Sequence, residues 1–171
     1  GDSGEGGWAK VVDEPLEYET GWRTEYSCIG FMLRSRLIGS VLAPDAKGTE
    51  WLEEYRRFLK ERWFDRLNMR STGFLPSPNV RHLIAPTETN TPYRPDRLPG
   101  EVHDENAHFL GGVSGNAGLF GTVDDLAKFA QAMLCEANGL VAPARWRRWT
   151  RRWAPDSTRA LGWDTKSPTG S

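Results

Sequence analysis

The sequence predicts a mainly α-helical chain with long loops and little strand. Three segments repeat apolar residues at the i, i+3, i+4 spacing that places them on one face of a helix. By contrast, the segment 66–121 is predicted to be loop-rich, because few regular elements tolerate its density of prolines, which are Pro76, Pro78, Pro86, Pro92, Pro95 and Pro99. With 171 residues the chain is long enough for one domain with its own core.

The first long helix is predicted to begin at Cys28 and to end before Pro44, because proline disfavours helical geometry in the residue before it. Upstream, residues 8–12 are predicted to form a short helix or strand, and residues 15–21 a turn region. The apolar face of the long helix is predicted to be Ile29, Met32, Leu33, Leu37 and Val41.

The second helix is predicted to begin with Thr49 as its N-cap and to run to Trp63. Carboxylates follow in its first turn, where they suit the helix dipole. Its apolar face is predicted to pack on the core and comprises Leu52, Tyr55, Phe58, Leu59 and Trp63.

The third helix is predicted to begin after the N-cap Thr122 and to end at Asn138-Gly139. A fourth helix is predicted from Ala144 to about Trp153, and residues 161–165 are predicted to begin a strand. The predicted apolar face of the third helix is Leu126, Phe129, Ala130, Met133 and Leu134.

The overall charge gives no general attraction to nucleic acid or to an anionic membrane. Lys and Arg number 22 and Asp and Glu number 23, so the formal net charge is -1. No apolar run approaches the roughly 20 residues needed to cross a bilayer. We therefore predict no nucleic-acid partner and no membrane span.

One local exception is the basic and aromatic run from Arg145 to Trp153, which contains five arginines and three tryptophans. Such a run could bind nucleic acid through phosphate contacts and base stacking. However, Trp146, Trp149 and Trp153 share one helical face, so packing on the core with a solvated arginine face is the favoured interpretation.

The residues His103, Asp104, Glu105 and His108 suggest a metal site at first inspection. The two histidines are five residues apart, about 140° from a common helical face, whereas the zincin pattern needs a spacing of four. The favoured interpretation is a hydrogen-bonded loop in which Asp104 and Asn106 cap local amides. We predict neither a metal nor a cofactor.

Candidate nucleophiles are few. Gly112-Val113-Ser114-Gly115 begins like a nucleophile elbow, but Asn116 replaces the final glycine and no clear strand precedes it, so Ser114 is favoured as a loop-shaping residue. Cys28 has no adjacent base, and both Cys28 and Cys135 are predicted to be buried free thiols. The chain contains no Ser-x-x-Lys sequence.

A family resemblance begins at Tyr26-Ser27-Cys28, directly before the first long helix. This sequence resembles the Tyr-x-Asn element of the superfamily of serine β-lactamases, penicillin-binding proteins and related esterases. Further segments similar to that superfamily follow in the same order, from about residue 21 to about residue 165; they are 66–74, 84–88, 100–107, 111–126 and 161–163.

The resemblance implies a mixed α+β fold, of which residues 1–171 form a partial domain that supplies mainly the helical part. In this superfamily the serine of Ser-x-x-Lys attacks a carbonyl carbon and forms an acyl-enzyme. The resemblance implies that Tyr26 is the acid/base tyrosine and that Cys28 is the third position of its motif. It also implies that one wall of the substrate cleft is formed by Gly115, Asn116, Ala117, Gly118 and Leu119.

The chain departs from the family pattern in several places. Cys28 stands where relatives carry a carboxamide or carboxylate, and a thiol is a weaker hydrogen-bond partner. Asn116 stands where relatives often carry His. The Ser-x-x-Lys segment would precede Gly1, and a Lys/His-Thr-Gly strand would follow Ser171, so we expect this internal fragment alone to be inactive and weakly stable.

Three functions follow as hypotheses. The first is a fragment of a bacterial serine hydrolase that cleaves an ester, a β-lactam or a peptidoglycan-type amide. The second is a non-catalytic binding or scaffold relative, and the third is an interaction protein that uses the basic-aromatic helix. A periplasmic or secreted parent is compatible with the first hypothesis; localisation and oligomeric state stay open.

Overall fold

A computed structural model describes residues 5–88, 99–154 and 157–166, apart from the side chains of Glu5 and Asn138. Within these ranges lie six α-helices: α1 Glu5–Asp13, α2 Cys28–Leu42, α3 Trp51–Leu59, α4 Glu105–Phe109, α5 Val123–Leu134 and α6 Pro143–Thr150. The described parts of the chain pair as strands only at two isolated bridges, Gly73 with Phe120 and Arg159 with Asp164. The prediction of a mainly helical chain with long loops and little strand is confirmed.

The core lies where α1, α2 and α3 meet the loops that follow them. The indole rings of Trp8 and Trp51 pack edge to face, with their centroids 4.9 Å apart. Buried residues from both halves of the chain complete this core, which comprises Trp8, Met32, Trp51, Tyr55, Phe74, Leu110 and Val113. Residues 8–12, for which a helix or a strand was predicted, belong to α1.

Helix α2 begins where the sequence predicts, because Ser27 is its N-cap and the Ser27 Oγ accepts a hydrogen bond from the Gly30 amide at 3.2 Å. It ends at Leu42, before Pro44. The start of this helix fixes the position of the candidate residue Tyr26, which directly precedes the cap.

The predicted apolar face of α2 is wrong beyond Met32. The buried residues of the helix are Met32, Ser35 and Gly39. Gly39 belongs to this face because a Cβ atom there would lie 2.4 Å from the ring of Trp51, so only glycine allows α2 and α3 to pack this closely. The exposed members of the predicted face are Leu33, Leu37 and Val41.

Helix α3 begins at Trp51 rather than after a Thr49 cap, and no side chain caps it. Glu50 instead accepts a hydrogen bond from the Lys47 amide at 3.0 Å, which closes the preceding turn. The helix continues as one π-helical segment, Lys60–Phe64. All five residues of its predicted apolar face are buried or half-buried, as expected.

Helix α5 confirms its predicted start, since the Thr122 Oγ1 accepts a hydrogen bond from the Asp125 amide at 3.3 Å. The helix ends at Leu134, and a 3-10 turn, Glu136–Gly139, replaces the predicted last turn. Its predicted apolar face is wrong at Leu126, Ala130 and Leu134, which are exposed. The buried residues of the helix are Asp125 and Ala132. Asp125 is turned inward because its carboxylate accepts a hydrogen bond from the Ser71 amide, in the loop before Gly73.

The C-terminal region also differs from prediction. Helix α6 ends at Thr150, so Trp153 lies beyond it, exposed, with its ring beneath the guanidinium groups of Arg148 and Arg151. Trp146 is buried as predicted, and Trp149 is half-buried. No strand forms within 161–165, because in the described chain this segment pairs only through the single bridge at Asp164.

The two cysteines are free thiols, but the prediction that both are buried is wrong. Cys28 is half-buried at the start of α2, and Cys135 is exposed at the end of α5. Among the described residues, no helix is both long and apolar enough to cross a membrane.

Candidate active site

The N-terminal end of α2 places Tyr26 at the edge of a pocket of about 180 Å³. Tyr26 is 59% exposed, so the phenol faces open space rather than the core. The pocket is built from three parts of the chain: the approach to α2, the first turns of α2, and the segment around Arg159. Its lining residues are Thr24, Glu25, Tyr26, Ser27, Gly30, Phe31, Arg34, Arg159, Ala160, Gly162 and Trp163.

The Tyr26 hydroxyl is hydrogen-bonded to Cys28, with the Cys28 Sγ 3.8 Å from the Tyr26 Oη. This hydrogen bond is the main reason that the pKa of Tyr26 is raised above its usual value, with the charge of Cys28 acting in the same direction. The phenol is therefore protonated at neutral pH in this structure.

Arg159 acts on Tyr26 in the opposite direction. Its guanidinium carbon lies 5.3 Å from the centre of the Tyr26 ring, and its positive charge lowers the phenol pKa. This effect is smaller than that of Cys28, so the net shift stays upward. The Tyr26 ring also lies near Phe31, with the ring centres 6.2 Å apart.

The Gly-rich loop, residues 111–121, packs on α2 at Phe31 and Ser35. The Gly115 amide donates a hydrogen bond to the Ser35 Oγ at 3.1 Å, and the same hydroxyl donates to the Met32 carbonyl at 2.7 Å. A Cβ atom at Gly115 would lie 2.1 Å from the Phe31 carbonyl oxygen, so the loop backbone lies directly on the helix backbone. Glycine is required there by space.

Three polar side chains connect this loop to α4. The Ser114 hydroxyl donates to the Asn116 Oδ1 at 2.7 Å, and the Asn116 amide donates to the Asp104 Oδ1 at 3.1 Å. Asp104 also caps α4 through the Ala107 amide at 2.8 Å. Ser114 is buried and hydrogen-bonded within its loop, so its geometry is that of a loop-shaping residue.

The predicted cleft wall, 115–119, therefore lies beside α2, and none of its residues lines the pocket at Tyr26. Gly115, Asn116 and Ala117 are half-buried, Gly118 is buried, and Leu119 is exposed. Their role in substrate binding stays a prediction.

The residues that suggested a metal site form separate contacts with different partners. His103 Nδ1 is hydrogen-bonded to the Thr87 hydroxyl at 2.8 Å, and His108 Nδ1 lies 4.0 Å from a Glu101 carboxylate oxygen. The predicted capping by Asp104 is observed, but it caps the short helix α4 rather than a loop turn. Within the described ranges, no group of three or more His, Cys, Asp or Glu residues could hold a metal ion.

Sequence reasoning missed three residues that shape this region. Arg34 and Ser35 belong to the polar run Arg34-Ser35-Arg36 within a mainly apolar helix, so both carry a detectable signal. Arg159 carries none, because nothing in its local sequence predicts that it reaches Tyr26. Only the fold brings residues 26 and 159 together.

Comparison with known proteins establishes the class of this chain. The family model described as Beta-lactamase matches residues 3–171, and the chain belongs to this family. The chain is 32% identical over 170 residues to the N-acetylmuramyl-L-alanine amidase of Bacillus subtilis (strain 168), a match that covers 87% of this chain and 36% of the relative.

Two other relatives are putative D-alanyl-D-alanine carboxypeptidases of Salmonella paratyphi B and Salmonella newport. Each is 32% identical to this chain over 173 residues, which covers 90% of the chain and 37% of the relative. The chain thus spans little more than a third of the length of the curated relatives that it matches.

Proposed function

We propose that this chain is the helical part of a serine hydrolase that cleaves a peptidoglycan-type amide, or a related ester or β-lactam, through an acyl-serine intermediate. The observation that carries the proposal is the position of Tyr26, an exposed phenol at the edge of a pocket directly before the cap of α2. The names of the relatives, an amidase and putative carboxypeptidases, support amide bonds as the target.

In the proposed reaction Tyr26 transfers a proton between the serine, the substrate and the leaving group. Its raised pKa suits the acid half of this role, because the phenol holds its proton at neutral pH. To act as a base, the phenol needs more positive charge nearby than Arg159 supplies. The proposal therefore requires the nucleophilic serine and a cation from outside residues 1–171.

The test uses the complete polypeptide that carries residues 1–171. We expect it to hydrolyse at least one of three probes: a chromogenic ester, a chromogenic cephalosporin, or an acylated peptide ending in D-alanyl-D-alanine. Intact-protein mass spectrometry during turnover should show a mass increase equal to the acyl group, located on a serine. Absence of both turnover and adduct with all three probes would refute the proposal.

A non-catalytic relative is the second candidate, and Cys28 is the observation that favours it. A thiol replaces the carboxamide or carboxylate of the motif, and in this structure it contacts the phenol itself. Under this alternative the probes would bind without turnover.

A further inference from the structure

Exposed arginines are concentrated in and just after α6, where the described chain does little to neutralise them. They are Arg145, Arg147, Arg148, Arg151 and Arg152. Within the described ranges only one of them is in an ion pair, which joins the Arg147 Nη1 to a Glu136 carboxylate oxygen at 3.9 Å. Both side chains of this pair are exposed, so the pair contributes little in water. The five arginines therefore form a basic patch that keeps most of its positive charge.

This basic patch is a local feature rather than a property of the whole chain. The formal net charge of the chain is -1, so the residues outside the patch are together negative. At physiological salt, exposed charges more than about 8 Å apart are largely screened from each other. The patch can therefore attract only a partner that comes into direct contact with it.

Helix α6 holds the patch on a fixed frame. Trp146 is buried and packs edge to face on Trp163, with the ring centres 5.7 Å apart. The Leu161 amide donates a hydrogen bond to the Trp149 carbonyl at 3.0 Å, which ties the following segment to the helix. Arginines on such a frame lose less conformational freedom on binding than those of a loose tail.

Two large apolar side chains are exposed beside the patch. One is Trp153, whose ring centre lies 4.0 Å from the guanidinium carbon of Arg151 and 5.4 Å from that of Arg148. The other is Leu161, which adjoins α6 through its backbone. Arginines combined with an exposed indole and a leucine match the interface of a lipid bilayer, where tryptophan rings lie at the level of the headgroups and cations face anionic lipids.

The aromatic side chains favour a lipid surface over nucleic acid. Stacking of bases needs exposed ring faces. Trp146 is buried, Trp149 is half-buried, and two guanidinium groups already occupy the ring of Trp153. The Trp153 Nε1 donates a hydrogen bond to the Arg148 carbonyl at 3.1 Å, so this ring can enter a headgroup layer without an unpaired donor.

We propose that the basic patch, together with Trp153 and Leu161, binds the surface of an anionic phospholipid bilayer. A guanidinium that stacks on a ring keeps its N–H edge free for phosphate oxygens. The binding is peripheral, since Trp146 keeps α6 packed on the rest of the chain. The inference goes beyond the proposed function and does not depend on hydrolysis.

The experiment measures how the complete polypeptide that carries residues 1–171 partitions onto lipid vesicles, by co-sedimentation. One set of vesicles consists of phosphatidylcholine, and the other also contains the anionic lipid phosphatidylglycerol. We expect a preference for the anionic vesicles that weakens as salt is raised. In R148Q/R151Q this preference should fall about 30-fold, which is about fivefold for each arginine near an anionic surface.

R62Q/R66Q is the matched control, because it removes two exposed arginines from the segment 60–66 that follows α3 and changes the net charge by the same amount. Its preference for anionic vesicles should equal that of the unaltered protein. Equal partition onto both kinds of vesicle, or an equal preference in the two double variants, would overturn the inference.

W153A tests the assignment to a lipid surface, because it leaves every arginine in place. Its partition onto anionic vesicles should fall severalfold, since the indole no longer enters the headgroup layer. Unchanged partition in W153A would overturn the assignment, because arginines alone bind any polyanion. Binding to a single-stranded oligonucleotide by a polypeptide that does not bind the vesicles would overturn it as well.

Discussion

At the scale of single residues, Asp125 connects two segments that are distant in sequence. The residue is 2% exposed, and its Oδ2 accepts hydrogen bonds from the Ser71 amide at 2.8 Å and the Thr72 hydroxyl at 3.0 Å. Its Oδ1 accepts from the Lys128 ammonium at 2.7 Å. Burial alone would raise the pKa of Asp125, but these three donors together lower it below its ordinary value.

We predict that Asp125→Asn lowers the free energy of unfolding at pH 7 by about 1–3 kcal/mol, because a buried charged hydrogen-bond acceptor is lost. Denaturant unfolding at several pH values measures this effect. Because the folded-state pKa is depressed, the stabilisation by Asp125 is present above the unfolded value of about 3.9 and is lost as pH falls through the folded value. The difference between the two proteins should therefore shrink below about pH 4.

The control is Asp124→Asn, which removes the same charge from the same turn of α5 at an exposed position. It should cost at most about 0.3–1 kcal/mol through the helix dipole. Equal losses of unfolding free energy in the two variants would contradict the claim that the buried hydrogen bonds of Asp125 stabilise the fold.

At the scale of elements, the Gly-rich loop packs closely on α2, the helix that begins just after Tyr26. The loop backbone at Gly115 lies against the Phe31 carbonyl, and the buried Ser35 hydroxyl holds it there. Gly118, with a φ of +111° and no room for a Cβ beside the Gly112 carbonyl, completes the turn. This contact is the structural link between the Tyr26 helix and the predicted cleft wall.

We predict that Gly115→Ala forces the loop away from α2 and lowers the free energy of unfolding by about 1–3 kcal/mol or more, as overpacking does. Gly73→Ala is the control, because a Cβ atom there would meet nothing within 4 Å and the residue has no positive φ. Denaturant unfolding compares the two. A Gly115→Ala protein as stable as Gly73→Ala would contradict the observed close packing.

The same elements show how far the sequence alone leads. Apolar spacing predicted the start of α2 at Cys28. A local cap signal predicted Thr122 as the cap of α5, because a cap depends on residues a few positions apart, but the same kind of signal was wrong at Thr49. Apolar spacing predicted that α2 and α5 are helices but not which face is buried. On α2 that face was decided by a glycine that accommodates Trp51, and on α5 by a carboxylate that binds residues 71–72.

The residues of the candidate site also divide into those that the sequence identified and those that it did not. Tyr26 and Cys28 are close in sequence and were identified from a motif. Arg159 reaches Tyr26 only through long-range folding, and Arg34 drew no functional interpretation within an apolar helix. Long-range contacts of this kind leave no local pattern in a single sequence.

At the scale of the whole molecule, two helices present apolar faces that the described chain does not cover. Leu37 and Val41 on α2 are 64% and 73% exposed, and Leu126 and Leu134 on α5 are 62% and 87% exposed. At about 25 cal/mol for each Å² of apolar surface, leaving such side chains in water forgoes about 1.5–3 kcal/mol apiece. The expectation that residues 1–171 alone are weakly stable stays a prediction.

The central claim is that Tyr26 is the acid/base residue of a serine hydrolase, and turnover by the Tyr26→Phe variant of the complete polypeptide tests it most directly. We predict that loss of the hydroxyl lowers kcat by about 100-fold or more, the usual contribution of general acid–base catalysis. Tyr18→Phe, which removes a phenol hydroxyl outside the pocket, should leave kcat unchanged. Undiminished kcat in Tyr26→Phe would contradict the account.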